Sequence, residues 1–218
     1  MRRIKEKICH RAVSPIKDAR DINAFMMNLK TKYINAKSEV KRYQAHRNYM
    51  IALLGFNTAL RAEDLLQLRV SEIKKGYVHI KENKTGKMQN FRLNKEITEE
   101  IKKYIETWNL NDYDYMFLGQ YKQMNGKPYK IAITSKRARE VLQTTAEQVG
   151  IDRFGLHSLR KTFGYQYLKN GGNAETLMKM YNHSSYDITR RYTMWGSDDA
   201  EKDRTRICIG LADGGIDT

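Results

Sequence analysis

Two cysteines, two prolines and a shortage of acid mark this chain of 218 residues by what it lacks. Cys9 and Cys208 stand near opposite ends, which gives neither a disulfide framework nor a C-x-x-C metal or redox pair. The five histidines, at 10, 46, 79, 157 and 183, show no H-E-x-x-H or comparable ligand spacing, so no metal and no cofactor is expected. So few prolines argue against long disordered linkers. A membrane surface would attract the chain's excess positive charge, but no apolar run approaches the roughly 20 residues that span a bilayer, and no membrane partner is expected. The opening MRRIKEKICHR is basic but has neither the apolar stretch nor the small-residue cleavage site of a signal peptide, and the expected location is cytoplasmic.

What is abundant is positive charge. Forty Lys and Arg against 25 Asp and Glu leave a formal +15, a field that attracts polyanions and speeds their encounter. Nucleic acid is the first partner to consider. The length suits one well-buried core with short flanking arms.

Hydrophobic period divides the chain. Residues 1 to 13 read as a basic arm. Asp18 can cap a helix that turns Ile22, Phe25, Met26, Leu29 and Tyr33 inward. A second helix is expected from about Ser38 to Phe56, with Tyr43, Tyr49, Met50, Leu53 and Leu54 as its apolar stripe and Lys41, Arg42 and Arg47 on a wet side. A short helix follows at Ala62 to Leu68. The period changes at Tyr77 to Lys81 and Met88 to Leu93, which flank a turn and predict a β-hairpin. Asn94 can cap a helix carrying Ile97, Ile101 and Tyr104, and residues 109 to 130 read as loop. Further helices are expected from Thr134 or Ser135 to Gly150, from Leu156 to Leu168, from Asn173 to Tyr181 and from Ser184 or Ser185 through Tyr192.

Five separated islands carry the functional reading. Asn57 to Leu68 contains Thr58-Ala59-Leu60-Arg61-Ala62-Glu63-Asp64-Leu65, and Glu82 to Lys87 places Lys84 at a hairpin tip. Leu156 to Phe163 contains His157-Ser158-Leu159-Arg160-Lys161-Thr162-Phe163. Asn182-His183-Ser184-Ser185 precedes Tyr192, which follows His183 by nine positions. In order, spacing and residue type, residues 14 to 196 resemble the catalytic domain of the tyrosine site-specific recombinases of the phage-integrase type. The islands resemble the T-G-L-R-x-x-E-L box, the hairpin lysine, the H-x-L-R-H-T-F box, the G-H-S-S turn and the nucleophile. Ala59 replaces a usual glycine, Asp64 a usual glutamate, Lys161 a common histidine and Asn182 a usual glycine; asparagine also tolerates a left-handed backbone.

The resemblance implies an α+β, mostly α catalytic-domain fold with a small antiparallel three-stranded sheet. It implies double-stranded DNA as partner, a homotetramer on two duplexes exchanging strands through a Holliday junction, and a C-terminal segment, residues 197 to 218, that docks on a neighbour. Family members usually carry an N-terminal core-binding domain, for which this chain is too short.

The residue types suit the chemistry in their own right. In-line attack on a phosphodiester needs a nucleophile, stabilisation of the charge on the non-bridging oxygens and a proton for the leaving oxygen. Tyr192 is the expected nucleophile, Arg61 and Arg160 a guanidinium clamp, Lys84 on a mobile tip the proton donor, and His157 and His183 donors to phosphate or acceptors of the tyrosine proton. Asp64 is expected to orient an arginine, and Lys87, Lys161, Arg190 and Arg191 to bind DNA. Each island alone has an ordinary explanation: a surface arginine, a polar turn, a solvated His/Arg pair, one of 14 tyrosines. Tyr181 and Tyr186 are rivals to Tyr192. Two other functions fit the charge: a non-cutting regulator using Asn173 to Tyr192 as a helix-turn-helix, and a type IB topoisomerase-like enzyme.

Overall fold

In the computed structural model the described residues are 13–119, 122–124, 127–194 and 196. The expected arm, apart from Val13, and the expected docking segment 197 to 218 lie outside them.

Eight helices are described, and their caps explain where they start. Asp18 accepts the Arg20 N–H at the head of α1 (Ala19–Ile34), and Ser38 accepts that of Lys41 at the head of α2 (Glu39–Asn57). The short α3 (Ala62–Leu66) follows. Asn94 caps α4 (Lys95–Thr107), Thr134 caps α5 (Ser135–Gln148), and α6 (Leu156–Lys169) opens at Gly155. Asn173 caps α7 (Ala174–Met180), and α8 (Tyr186–Thr193) runs from Ser185 to a left-handed Met194.

Helix α2 is the central post, packed by α1, α3, α4, α5 and α6. Met50, Ile51, Ala52 and Leu54 are completely buried around it with Phe25, Leu29, Ile101 and Tyr104. Gly55 lets α6 approach closely, since a Cβ there would meet Leu159 Cδ1 at 2.6 Å. That approach sets the position of Arg160, the next residue on α6. Because α2 is covered on most sides, Arg47 is 6% exposed, against the expectation of a wet face; its guanidinium donates to the Leu118 carbonyl at 2.7 Å and to Asn48 Oδ1.

The sheet also differs from expectation. β1 (Tyr77–Lys81) pairs antiparallel with β2 (Met88–Arg92), Tyr77 opposite Arg92 and Lys81 opposite Met88, but no third strand joins them among the described residues. A second two-stranded ladder, β3 (Lys122–Met124) with β4 (Lys127–Tyr129), lies inside the segment read as loop. Strands of three residues are too short to display an alternating pattern. Among the described residues no helix is long and apolar enough to cross a membrane, and no cluster of metal-ligating side chains occurs.

Candidate active site

The site forms where α3, the β1–β2 turn, α6, α7 and α8 converge beside the main core. A small apolar cluster of Ala59, Leu177 and Tyr181, with Phe163, Tyr167 and Tyr192 packed on it, makes its floor.

Arg160 is 2% exposed. Its Nη1 donates to the Ala59 carbonyl at 2.5 Å and its Nη2 to the Tyr181 carbonyl at 2.8 Å, while the guanidinium carbon lies 4.3 Å from the Tyr181 ring centre. Arg61 approaches from the head of α3. Its Nη2 is 3.5 Å from the same Tyr181 carbonyl and its Nη1 is 2.5 Å from the Glu82 carboxylate. Two guanidiniums thus meet at one backbone oxygen. Burial pushes the Arg160 pKa down, with Tyr192 opposing and Arg61 adding to the fall. Arginine nonetheless stays protonated, so the site holds fixed positive charge.

Tyr192 is half-buried. Its ring stands edge-on to Tyr181 at 5.4 Å and to His183 at 5.5 Å, with the Arg160 guanidinium carbon 5.8 Å away. Burial raises its pKa, against the pull of Arg160 and Arg61. The rivals differ from it. The Tyr181 hydroxyl is buried and donates to the Arg160 carbonyl at 2.5 Å, and Tyr186 is exposed at the start of α8. His183 Nδ1 is 3.0 Å from Thr189 Oγ1, and burial, then the charges of Arg160 and Arg61, lower its pKa to about 4. Its imidazole is neutral at pH 7. His157 lies three residues before Arg160 in the first turn of α6, and desolvation followed by Arg160 lowers its pKa too.

Both sites where a glycine is usual carry a left-handed backbone: φ is 56° at Ala59 and 52° at Asn182. The first orients a carbonyl toward Arg160, and the second turns the chain from α7 toward His183.

Comparisons with known proteins place the whole chain. A model of the phage integrase family matches residues 18–196. The chain belongs to the phage integrase family. It is 32% identical over 158 residues to YoeC of Bacillus subtilis (strain 168), named "Probable integrase/recombinase", covering 71% of this chain and 82% of YoeC. It is 26% identical over 149 residues to the tyrosine recombinase XerA of Pyrococcus furiosus, covering 67% of this chain but 50% of XerA. Among solved structures, a XerA recombinase superposes with a TM-score of 0.68 at 16% identity, over 89% of this chain and 64% of that one. The catalytic domain of bacteriophage HP1 integrase superposes with a TM-score of 0.55 at 17% identity, over 88% and 94%. The fold is therefore that of tyrosine recombinase catalytic domains.

The remaining family positions fall in different places. Lys84 and Lys87 are exposed in the β1–β2 turn, and among the described residues the Lys84 side chain has no hydrogen bond or ion pair. The turn itself is fastened: the Asn83 N–H donates to Asp64 Oδ1 at 2.9 Å, and the Gly86 N–H donates to the Glu82 carbonyl at 2.9 Å. Asp64 is 4% exposed, and burial raises its pKa while the Asn83 N–H opposes the rise. Asp64, expected to orient an arginine, bonds to the turn and lies within electrostatic reach of Arg61 and Arg160, whereas the direct ion pair of Arg61 is with Glu82. Lys161, expected on DNA, donates to the Val13 carbonyl at 2.6 Å and lies 5.5 Å from the Tyr192 ring centre, so it sits beside the tyrosine rather than on open surface. Arg190 and Arg191 are exposed on α8. The residue that sequence reading missed is Glu82, 1% exposed. The alternation of β1 held the signal, because 78, 80 and 82 share a face and Val78 and Ile80 are buried.

Proposed function

We propose that this integrase-family chain cuts and rejoins duplex DNA at a specific site through a covalent 3′-phosphotyrosine at Tyr192. The observation that carries the reading is the convergence of Arg61 and Arg160 on one carbonyl oxygen, with the Tyr192 ring against the second guanidinium. A phosphodiester entering beside that carbonyl meets two guanidiniums held next to one another, and their attraction grows as the pentavalent transition state gathers charge. Tyr192 Oη attacks phosphorus, the 5′ oxygen leaves, and Lys84, exposed at the turn, supplies its proton. Neutral His183 accepts the phenol proton, and His157 donates to a non-bridging oxygen. The bond energy is kept in the phosphotyrosine, so religation to a new 5′ hydroxyl needs no nucleotide.

Lys87, Arg190 and Arg191 supply exposed positive charge around the site, suited to flanking phosphates. XerH, a neighbour at 20% identity, is described bound to a palindromic substrate. A two-fold site calls for paired protomers, and exchange between two such sites calls for four, so the working form is a homotetramer on DNA in the cytoplasm.

The test is incubation with a nicked suicide duplex carrying the candidate site, quenched in detergent, with EDTA present. A covalent adduct mapped to Tyr192 is expected. Cleavage that requires magnesium, or an adduct on another residue, would overturn the mechanism.

A further inference from the structure

We propose that Glu82 is a positioning residue for Arg61, tying that guanidinium to the turn that carries Lys84. The inference rests on the reading of the site given above and adds a residue to it.

The Glu82 carboxylate is closed off from solvent and is shared three ways. It accepts from Thr85 Oγ1, from Gln89 Nε2 at 2.9 Å, and it pairs with Arg61 Nη1 at 2.5 Å. Thr85 is the neighbour of Lys84 in the turn. Gln89 sits on β2 and also donates to the Met180 carbonyl at 3.2 Å, one residue before the carbonyl on which the two guanidiniums meet. One carboxylate therefore joins the Lys84 turn, the hairpin and the Arg61 guanidinium. Burial works against its ionised form, but the hydrogen bonds from Thr85 and Gln89 and the charge of Arg61 outweigh it and keep its pKa below the ordinary value.

Structure alone gives poor reason for such a group. A buried ion pair contributes little net stability against a well-packed apolar alternative, because both ions lose their hydration. Charge balance at the site gives a better one. Arg61 and Arg160 bring two positive charges to a partly desolvated niche; Glu82 pairs directly with Arg61, the buried Asp64 lies within electrostatic reach of both guanidiniums, and the phosphodiester adds its negative charge when it arrives. Without Glu82, the two guanidiniums repel across the Tyr181 carbonyl, and Arg61, whose side chain is 18% exposed, has a route to solvent.

The variant is Glu82→Gln, which keeps the shape and removes the charge. Cleavage of the suicide duplex by the full chain should slow about 30-fold, while the Kd for the uncleaved duplex stays within about threefold, since the contact matters most in the transition state. The same variant is then tested on a duplex whose scissile 5′ oxygen is replaced by sulfur, a leaving group that needs no proton. The loss should persist there, whereas the loss caused by Lys84→Ala should largely disappear. A Glu82→Gln loss that vanishes with sulfur would mean that the residue serves Lys84 and not Arg61, and a wild-type rate on both duplexes would remove it from the mechanism; either overturns the proposal.

A second measurement needs no cleavage. The guanidinium Nη–H resonances of Arg61, assigned by their absence in Arg61→Lys, should exchange slowly with water in the wild type and rapidly in Glu82→Gln, because the contact with Glu82 is made through Nη1. Equal exchange in both would overturn the proposal, while absence of any adduct with the wild-type chain would count against the cleavage reading alone.

Discussion

Among the described residues two arginines are buried, and their surroundings separate two regions of the molecule. Arg47, on the main core, gives its guanidinium to the Leu118 carbonyl and Asn48 beside Tyr43; Arg160, in the niche, gives its own to the Ala59 and Tyr181 carbonyls beside Tyr192. Both have pKa values pushed down first by burial, and both bond to neutral acceptors. The difference is the company. Arg160 has a second guanidinium, an imidazole, a phenol and a buried carboxylate within its niche. Burial of a charge thus does not by itself mark a functional site; convergence of several chemically different groups does.

The sharpest way to break the comparison is to remove one hydroxyl from the niche. Tyr192→Phe should abolish the covalent adduct altogether while DNA affinity stays within about twofold, because the ring packing on Tyr181 and His183 is kept. An adduct that survives in this variant would move the nucleophile elsewhere.

Next come the arginines themselves. Arg160→Ala should cost on the order of a thousandfold in cleavage rate and less than about tenfold in DNA affinity, since its attraction peaks as charge gathers on phosphorus. Arg47→Ala should do the reverse. It leaves the Leu118 carbonyl with only the longer hydrogen bond from Tyr43 Oη at 3.4 Å and a void beside α2, so unfolding should become easier by about 3 kcal/mol, while the folded fraction cleaves at the normal rate. Denaturant titration and suicide-duplex kinetics on both variants decide it, and equal rate losses would erase the distinction between the regions.

The two regions were also unequally legible in the sequence. Helix starts were readable because Asp18, Ser38, Asn94, Thr134 and Asn173 each cap locally, a matter of a few neighbouring residues. Residue types around the niche were readable because they recur at family spacing. Burial of Arg47 was not, since it depends on a carbonyl 71 residues away, and neither was the second ladder at 122–124 and 127–129. Nor could spacing say that Lys161 would bond to the Val13 carbonyl, or that Asp64 would take the turn and leave Arg61 to Glu82. Those are tertiary choices between partners of similar chemistry, which sequence patterns do not rank.

A smaller effect tests the core side by pH. His46 accepts a hydrogen bond from Trp108 Nε1 at 3.0 Å, and burial lowers its pKa from 6.5 to about 4. In the unfolded chain the imidazole binds its proton at a higher pH than in the fold. The stability it contributes is therefore fully present above about pH 6.5 and is lost as pH falls toward 4, by about 2 kcal/mol after allowance for screening. His183 titrates in the same direction in the niche. His46→Gln keeps an acceptor and removes the titration, so denaturant stability measured at pH 7 and at pH 4.5 should fall less in the variant than in the wild type. An unchanged acid loss would place the titrating group elsewhere, with His183 the first to test.

The smallest expected effect returns to the niche and its backbone. Ala59 and Asn182 stand in the left-handed region, where a Cβ crowds the following carbonyl, but asparagine enters that region more readily than alanine does. Relief of the strain at Ala59 by glycine is worth about 1–2 kcal/mol, against which glycine loses about 0.5–1 kcal/mol of backbone entropy and a buried methyl. Ala59→Gly should therefore stabilise by about 0.5 kcal/mol, and Asn182→Gly should change stability less. Cleavage gives the more telling readout. If the Ala59 methyl helps fix the carbonyl that holds Arg160 Nη1, the glycine variant gains stability and loses rate by about threefold; if the left-handed turn alone fixes it, the rate is unchanged. The second result would show that the clamp is set by backbone geometry, as the glycine usual at that position implies, with alanine a tolerated substitute in this chain.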